Sequence, residues 1–261
     1  MRTVSIISLK GGVSKTTTAV NVSYILADMG YKVLLIDNDK QGNTSKALNS
    51  YDPEDTQTIA RVMTEKGIDI QSVIKRTRYK NLDIVTANMN LLEANLRTVV
   101  DTTSQQQTRF KKAFKIMGAN EFYDFCIIDN APDINMSIIN ALVMSDDVII
   151  PVQIDQYSFD GLDILAEQIG EIKEDFNEKL NFQGCLITQY RKSEVQEQGA
   201  EILEHRYPTF ETRIRRTEKK PQESTFAKIP LVEYSARCGA SQDYKKFVKE
   251  YLERIGENHG V

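Results

Sequence analysis

In the stretch SLKGGVSKTTT, Ser8 to Thr18, two lysines flank a pair of glycines and a run of threonines follows. Adjacent glycines let backbone N–H groups turn toward one point, and a helix starting just after them adds partial positive charge there. Gly11 and Gly12 supply that freedom, Lys15 supplies a cation for β and γ phosphates, and Thr16 supplies a hydroxyl for Mg²⁺. The apolar run TVSIIS precedes the stretch. Ala19, Val22, Ile25, Leu26 and Met29 follow it at helical spacing, with Gly30 as a stop, so the stretch reads as a strand-to-helix turn. The common phosphate loop, G-x-x-x-x-G-K-[ST], has glycines where Leu9 and Ser14 stand here, and it assigns nothing to Lys10. A serine at position 14 is acceptable at ordinary backbone angles.

Two further stretches place carboxylates at strand ends. LLIDNDKQGNTS carries Asp37 and Asp39, and YDFCIIDNAPD carries Asp129. Taken singly, the first pair is equally well explained as turn and cap residues, and an apolar strand ending in Asp is common. Three such stretches in sequence, each at the carboxyl end of a parallel strand, point to one ligand site, because open parallel sheets bind ligands there.

KGGVSKTT resembles the deviant Walker A motif, K-G-G-x-x-K-[ST], of the ParA/MinD family of ATPases. The resemblance implies that Gly11, Gly12, Val13, Ser14, Lys15, Thr16 and Thr17 bind nucleotide. It also makes Lys10 the signature lysine, which reaches the partner subunit's nucleotide across a dimer interface. The family's usual residue at position 14 is glycine. Asp37, Asp39, Gln41, Gly42 and Asn43 resemble the switch I pattern D-x-D-P-Q-G-N, with Lys40 in the place of proline. By that resemblance Asp39 positions the attacking water, Asp37 supports the Mg²⁺ shell, and Asp129 holds Mg²⁺ beside Thr16. Pro132 matches the second proline of the family's D-x-P-P, while Ala131 replaces the first. Later stretches, GCLITQY and AKIPLVEYSARCGASQDYKKFVKEYL, resemble the base-binding region and the final helix, and suggest Gln189 and Pro230 as base contacts. The implied cofactors are ATP and Mg²⁺.

The elements that must position these residues alternate between short apolar runs and longer helical segments, which indicates an α/β fold. Its mostly parallel, twisted sheet would carry helices on both faces, as a single P-loop domain over residues 1–261. Strands are expected in TVSIISL, KVLLIDN, NLDIVTA, YDFCIIDN, DDVIIPVQI, QGCLITQY and TFETRI. Further helices are expected around 56–65, 91–99, 106–117, 134–144, 158–176, 193–206 and 241–255. Lys75 to Lys80, KRTRYK, reads as a solvated basic loop.

A net charge of −4 argues against a globally basic nucleic-acid binder but leaves room for a local patch. Cys126, Cys185 and Cys238 form no C-x-x-C pair, and with only His205 and His259 a structural zinc site is not expected. Cys126 and Cys185, inside apolar runs, read as small buried hydrophobes, and the set fits a reducing cytoplasm. A membrane span or signal peptide is not expected either.

The leading function implied by the resemblance is ParA-type partition of DNA. An ATP-dependent homodimer would hold non-specific DNA at the nucleoid and be stimulated by a ParB-like centromere-binding partner. The resemblance is to the short class, in which no DNA-reading domain is expected ahead of the first strand. RIRRTEKK offers Arg213, Arg215, Arg216, Lys219 and Lys220 to DNA, with Glu218 as the local counter-charge. The alternative is a MinD-like membrane ATPase, which needs a basic amphipathic C-terminal helix. In KKFVKEYLERIGENHGV the face of Phe247, Val248, Tyr251, Leu252 and Ile255 reads instead as packed, with Glu250, Glu253 and Glu257 diluting the basic side.

Overall fold

The computed structural model describes residues 1–118, 121–155 and 159–257. The chain runs through β1 (Arg2–Ile6), α1 (Lys15–Asp28), β2 (Val33–Asn38), α2 (Asn43–Ala47), α3 (Ile59–Thr64), β3 (Ile74–Arg76), β4 (Leu82–Val85), α4 (Asn90–Val100) and α5 (Arg109–Met117). It continues through β5 (Phe125–Asn130), α6 (Met136–Met144), β6 (Asp147–Val152), α7 (Asp160–Asp175), β7 (Asn181–Ile187), α8 (Glu194–Arg206), α9 (Lys220–Ala227), α10 (Leu231–Tyr234) and α11 (Gly239–Arg254).

Strands that are apolar at every position must be covered on both sides, because successive side chains point to opposite faces. In β2, Val33 and Leu35 join one core with α1, α10 and α11, while Leu34 and Ile36 join another with α3, α4 and α5. Helices α6, α7 and α8 cover that second face over β6 and β7. The seven strands lie in the order β3-β4-β2-β5-β1-β6-β7, and β3 alone runs antiparallel to its neighbour.

Register sets up the site. Asp129 of β5 pairs with Ile6 of β1 on one side and with Asp37 of β2 on the other. The loop that leaves β1 therefore emerges beside two carboxylates.

TFETRI is not a strand. It runs beside β7 with two isolated bridges, Cys185 to Thr209 and Tyr190 to Arg215. Between them the Glu250 carboxylate of α11 accepts the amides of Glu211 and Thr212, at 2.8 and 2.9 Å, in place of a continuous ladder. KRTRYK is not wholly a loop, since Lys75 and Arg76 lie in β3. The short helices α2, α9 and α10 have no counterpart among the expected elements. The expected start at Ser158 lies outside the described residues, as does His259. Cys126 and Cys185 are fully buried, and burial pushes both thiols up, as expected of small core hydrophobes.

Candidate active site

The phosphate loop turns into α1 through two left-handed residues, Gly12 at φ 77° and Ser14 at φ 68°. Position 14 thus lacks the ordinary angles at which a serine is at ease, and its hydroxyl caps no N–H of the helix. A Cβ built on Gly11 or Gly12 would meet no protein atom within 4 Å. The space those glycines leave open is cleft, not packing. Lys15 is buried, and its Nζ donates to the Lys10 carbonyl at 3.0 Å. Burial pulls its ammonium below the ordinary value, an effect partly offset by Asp129, Asp39 and Asp133. The result is a cation with room for a stronger anionic partner.

Gly11, Ser14, Lys15, Thr16, Asp39 and Asp133 are among the residues around one cleft of about 560 Å³. Beneath it, Thr16 Oγ1 and Thr44 Oγ1 donate to Asp129 Oδ2 at 2.7 and 2.6 Å. Asp37 Oδ2 accepts from the Ser45 amide and hydroxyl at 2.8 and 2.7 Å, and Asp37 Oδ1 accepts from the Asp39 amide at 3.2 Å. Burial, with the Asp129 charge beside it, raises Asp37 to about 8; burial, with a smaller push from Asp39, raises Asp129 to about 6.

These residues suit a hard divalent cation. Asp129 Oδ1 is buried without a hydrogen-bond partner, and two neighbouring carboxylates are stabilised by positive charge between or beside them. No three His, Cys, Asp or Glu side chains converge as a metal cage among the described residues. Mg²⁺ here would be held by Thr16 and Asp129, with Asp37 behind, and completed by water and phosphate oxygens, which is its usual habit.

Comparisons with known proteins agree with this geometry. The family model described as AAA domain matches residues 1–182. ParA, a chromosome partitioning protein of Caulobacter vibrioides, is 30% identical over 97% of this chain and 95% of its own length. The chain belongs to the ParA/MinD family of P-loop ATPases. Soj, a sporulation initiation inhibitor protein of Bacillus subtilis, is 31% identical over 95% of this chain and 96% of its own. Among solved structures, cobyrinic acid a,c-diamide synthase from Mycobacterium smegmatis with bound ADP and magnesium superposes with a TM-score of 0.84. It is 22% identical and covers 99% of this chain and 97% of that one, a likeness of fold.

In this ParA/MinD-type chain, Lys10 is paired with Asp155 of the segment after β6, and both side chains are partly exposed. Gly42, at φ 63°, lies where a Cβ would come within 2.5 Å of the Tyr51 ring and 2.7 Å of the Ala87 carbonyl, so switch I can turn there only on a glycine. Lys40, in the place of proline, reaches toward Asp133 at 3.9 Å across the cleft. Sequence reading missed Thr44 and Ser45, whose hydroxyls hold the two buried carboxylates. Their signal is the pair of hydroxyl residues directly after the switch I asparagine.

A second cavity of about 470 Å³ opens on the other side of Ser14 and Thr17, reached by Gln189, Thr217, Leu231 and Tyr244. Gln189 lies on its wall. Pro230 does not; it is buried and is the N-cap of α10.

The basic stretch is less free than its local sequence suggests. Arg213 is bridged to Glu197 and Glu204 of α8, Arg215 makes a bidentate pair with the buried Asp243 of α11, and Lys220 pairs with Glu223. Glu218 pairs with Arg191 instead. Among the described residues, Arg216 and Lys219 make no ion pair. The apolar face of α11, with Phe247, Val248, Tyr251 and Leu252, is packed into the core. No helix among the described residues is long and apolar enough to cross a membrane.

Proposed function

We propose that this chain is a DNA-partition ATPase. It binds Mg²⁺–ATP in the cleft above Asp129, closes into a sandwich dimer, and in that state holds non-specific DNA at the nucleoid. A ParB-like partner then stimulates hydrolysis to ADP and phosphate. The observation that carries the reading is the convergence of Lys15, Thr16 and Asp39 on one cleft at the ends of β1, β2 and β5, with Asp129 hydrogen-bonded to Thr16 beneath it. The 30% identity to Caulobacter ParA over nearly the whole chain supports partition as the use of that chemistry.

Bound Mg²⁺ would supply charge neutralisation between phosphate oxygens. Lys15 exchanges the Lys10 carbonyl for β and γ phosphate oxygens, and Gly11 and Gly12 let the backbone approach them. Asp39, at the mouth of the cleft, orients the attacking water and accepts its proton. Lys10 leaves Asp155 to place a fixed cation on the partner's transferring phosphate, as an arginine finger does. Arg216, Lys219 and Lys220 form the DNA-facing set, with Arg213 and Arg215 as braces beneath them.

The MinD-like membrane reading is the second one. Against it stands the use of α11's apolar face inside the core, where it is not available to lipid. The test is phosphate release with and without Mg²⁺ and duplex DNA, alongside flotation with anionic liposomes. Mg²⁺-dependent release that Lys15→Ala abolishes supports the ATPase. Release by Lys15→Ala at the wild-type rate refutes it, and nucleotide-dependent liposome binding without DNA binding selects the membrane reading.

A further inference from the structure

Ser14 and Thr17 are the two residues shared by the phosphate cleft and the neighbouring cavity. A ligand that fills both must pass over the first turn of α1, with Ser14 at the neck. Ser14 holds φ 68° and ψ 26°, a conformation that glycine takes freely and that serine resists. The backbone therefore gives no reason for a side chain here. The surroundings of the hydroxyl do.

Gln189, itself left-handed at φ 52°, leans over the loop from the end of β7. Its Nε2 donates to the Gly12 carbonyl at 2.6 Å and to Ser14 Oγ at 3.4 Å. The next residue, Tyr190, is tied by its amide to the Ile214 carbonyl at 2.9 Å, which anchors the base of the Gln189 side chain. Ser14 Oγ accepts from Gln189 and donates no hydrogen bond of its own among the described residues, so its proton remains for donation into the neck.

We propose that Ser14 is a nucleotide-binding side chain in its own right. Its hydroxyl donates to the α-phosphate, and Gln189 orients it for that bond. The inference rests on the nucleotide reading above. Lys15, Thr16 and the carboxylates take the end of the cleft suited to the β and γ phosphates, which leaves the α-phosphate at the neck between cleft and cavity. ADP and ATP share that phosphate, so Ser14 should hold both equally, whereas a contact to the γ-phosphate would favour ATP.

The experiment is calorimetric titration of Mg²⁺–ADP and a non-hydrolysable Mg²⁺–ATP analogue into wild type, Ser14→Ala, Ser14→Gly, Gln189→Ala and Ser14→Ala/Gln189→Ala. A thermal melt of each apo protein accompanies it. Ser14→Ala keeps the backbone strain and removes the hydroxyl; Ser14→Gly removes both. Both should weaken both ligands by about tenfold, the scale of one charge-assisted hydrogen bond. Ser14→Gly should nevertheless melt above wild type, while Ser14→Ala should not. The double variant should lose less than the product of the two single losses, because Gln189 acts partly through Ser14. Ser14→Ala binding as tightly as wild type, or losing affinity for the ATP analogue alone, overturns the proposal. Wild type binding neither ligand overturns the nucleotide reading itself and this inference with it.

Discussion

Asp37 and Asp129 stand as direct register partners at the ends of two adjacent parallel strands, and both carboxylates are buried. Each is held by hydroxyl groups from the same short helix, Ser45 for Asp37 and Thr44 for Asp129. Burial and like charge disfavour ionisation of both, so the pair is arranged for a cation more than for apo stability.

Asp129→Asn follows directly from that arrangement. The carboxamide oxygen can still accept from Thr16 and Thr44, and the new NH₂ fills the position of the unpartnered Oδ1. The apo variant should melt at or above wild type. Its nucleotide affinity should lose the enhancement that Mg²⁺ provides, by about tenfold or more. Titrating nucleotide with Mg²⁺ and with EDTA checks this; an unchanged Mg²⁺ effect would remove Asp129 from the metal site.

Gly42→Ala should be among the most damaging single-methyl changes in the chain. The new Cβ meets the Tyr51 ring and the Ala87 backbone, in a left-handed conformation. Together these cost about 3 kcal/mol, or roughly 5–10 °C in Tm. Gly67→Ala is the control: it shares the positive φ, at 70°, but its Cβ meets nothing within 4 Å. Its cost should be about 1 kcal/mol. Equal melting of the two variants would show that the contact at Tyr51 yields freely.

Much of the site was legible because its parts are contiguous in sequence. Lys10 to Thr17 form one contiguous stretch that runs from a loop into the first turn of α1, and Asp37 and Asp129 each lie at the end of an apolar strand, so local pattern marks them. What was not legible depends on long-range packing. Thr44 meets Asp129 from 85 residues away. Counting neighbours in sequence left Glu218 as the counter-charge of the basic stretch, but Glu197, Glu204 and Asp243 arrive from α8 and α11. TFETRI has strand-like alternation, yet Glu250 takes two of its amides. The angle of Ser14 is a property of how the loop closes on α1, which composition does not encode.

The basic stretch should split into braces and contacts. Arg215→Ala leaves the buried Asp243 without its guanidinium and should destabilise the fold by about 1–3 kcal/mol. Arg216→Ala/Lys219→Ala touches no ion pair and should leave Tm nearly unchanged while lowering the log–log salt slope of DNA binding by about 2 per subunit, or about 4 for the dimer. Salt titrations on unrelated duplexes with ATP, beside melting curves, separate the two. An unchanged slope in the double variant would move the DNA surface elsewhere.

In the proposed cycle the cleft binds ATP in each chain and is completed across a dimer. Sedimentation velocity of Asp39→Ala and of Lys10→Ala/Asp39→Ala, each with Mg²⁺–ATP and with Mg²⁺–ADP, tests it most directly. Removing Asp39 should block hydrolysis and leave a stable dimer with ATP and a monomer with ADP. Removing Lys10 as well should return the ATP sample to monomer, with ATP still bound. A monomer in the Asp39→Ala sample at saturating ATP, or a dimer that forms equally well with ADP and without Lys10, would contradict the account.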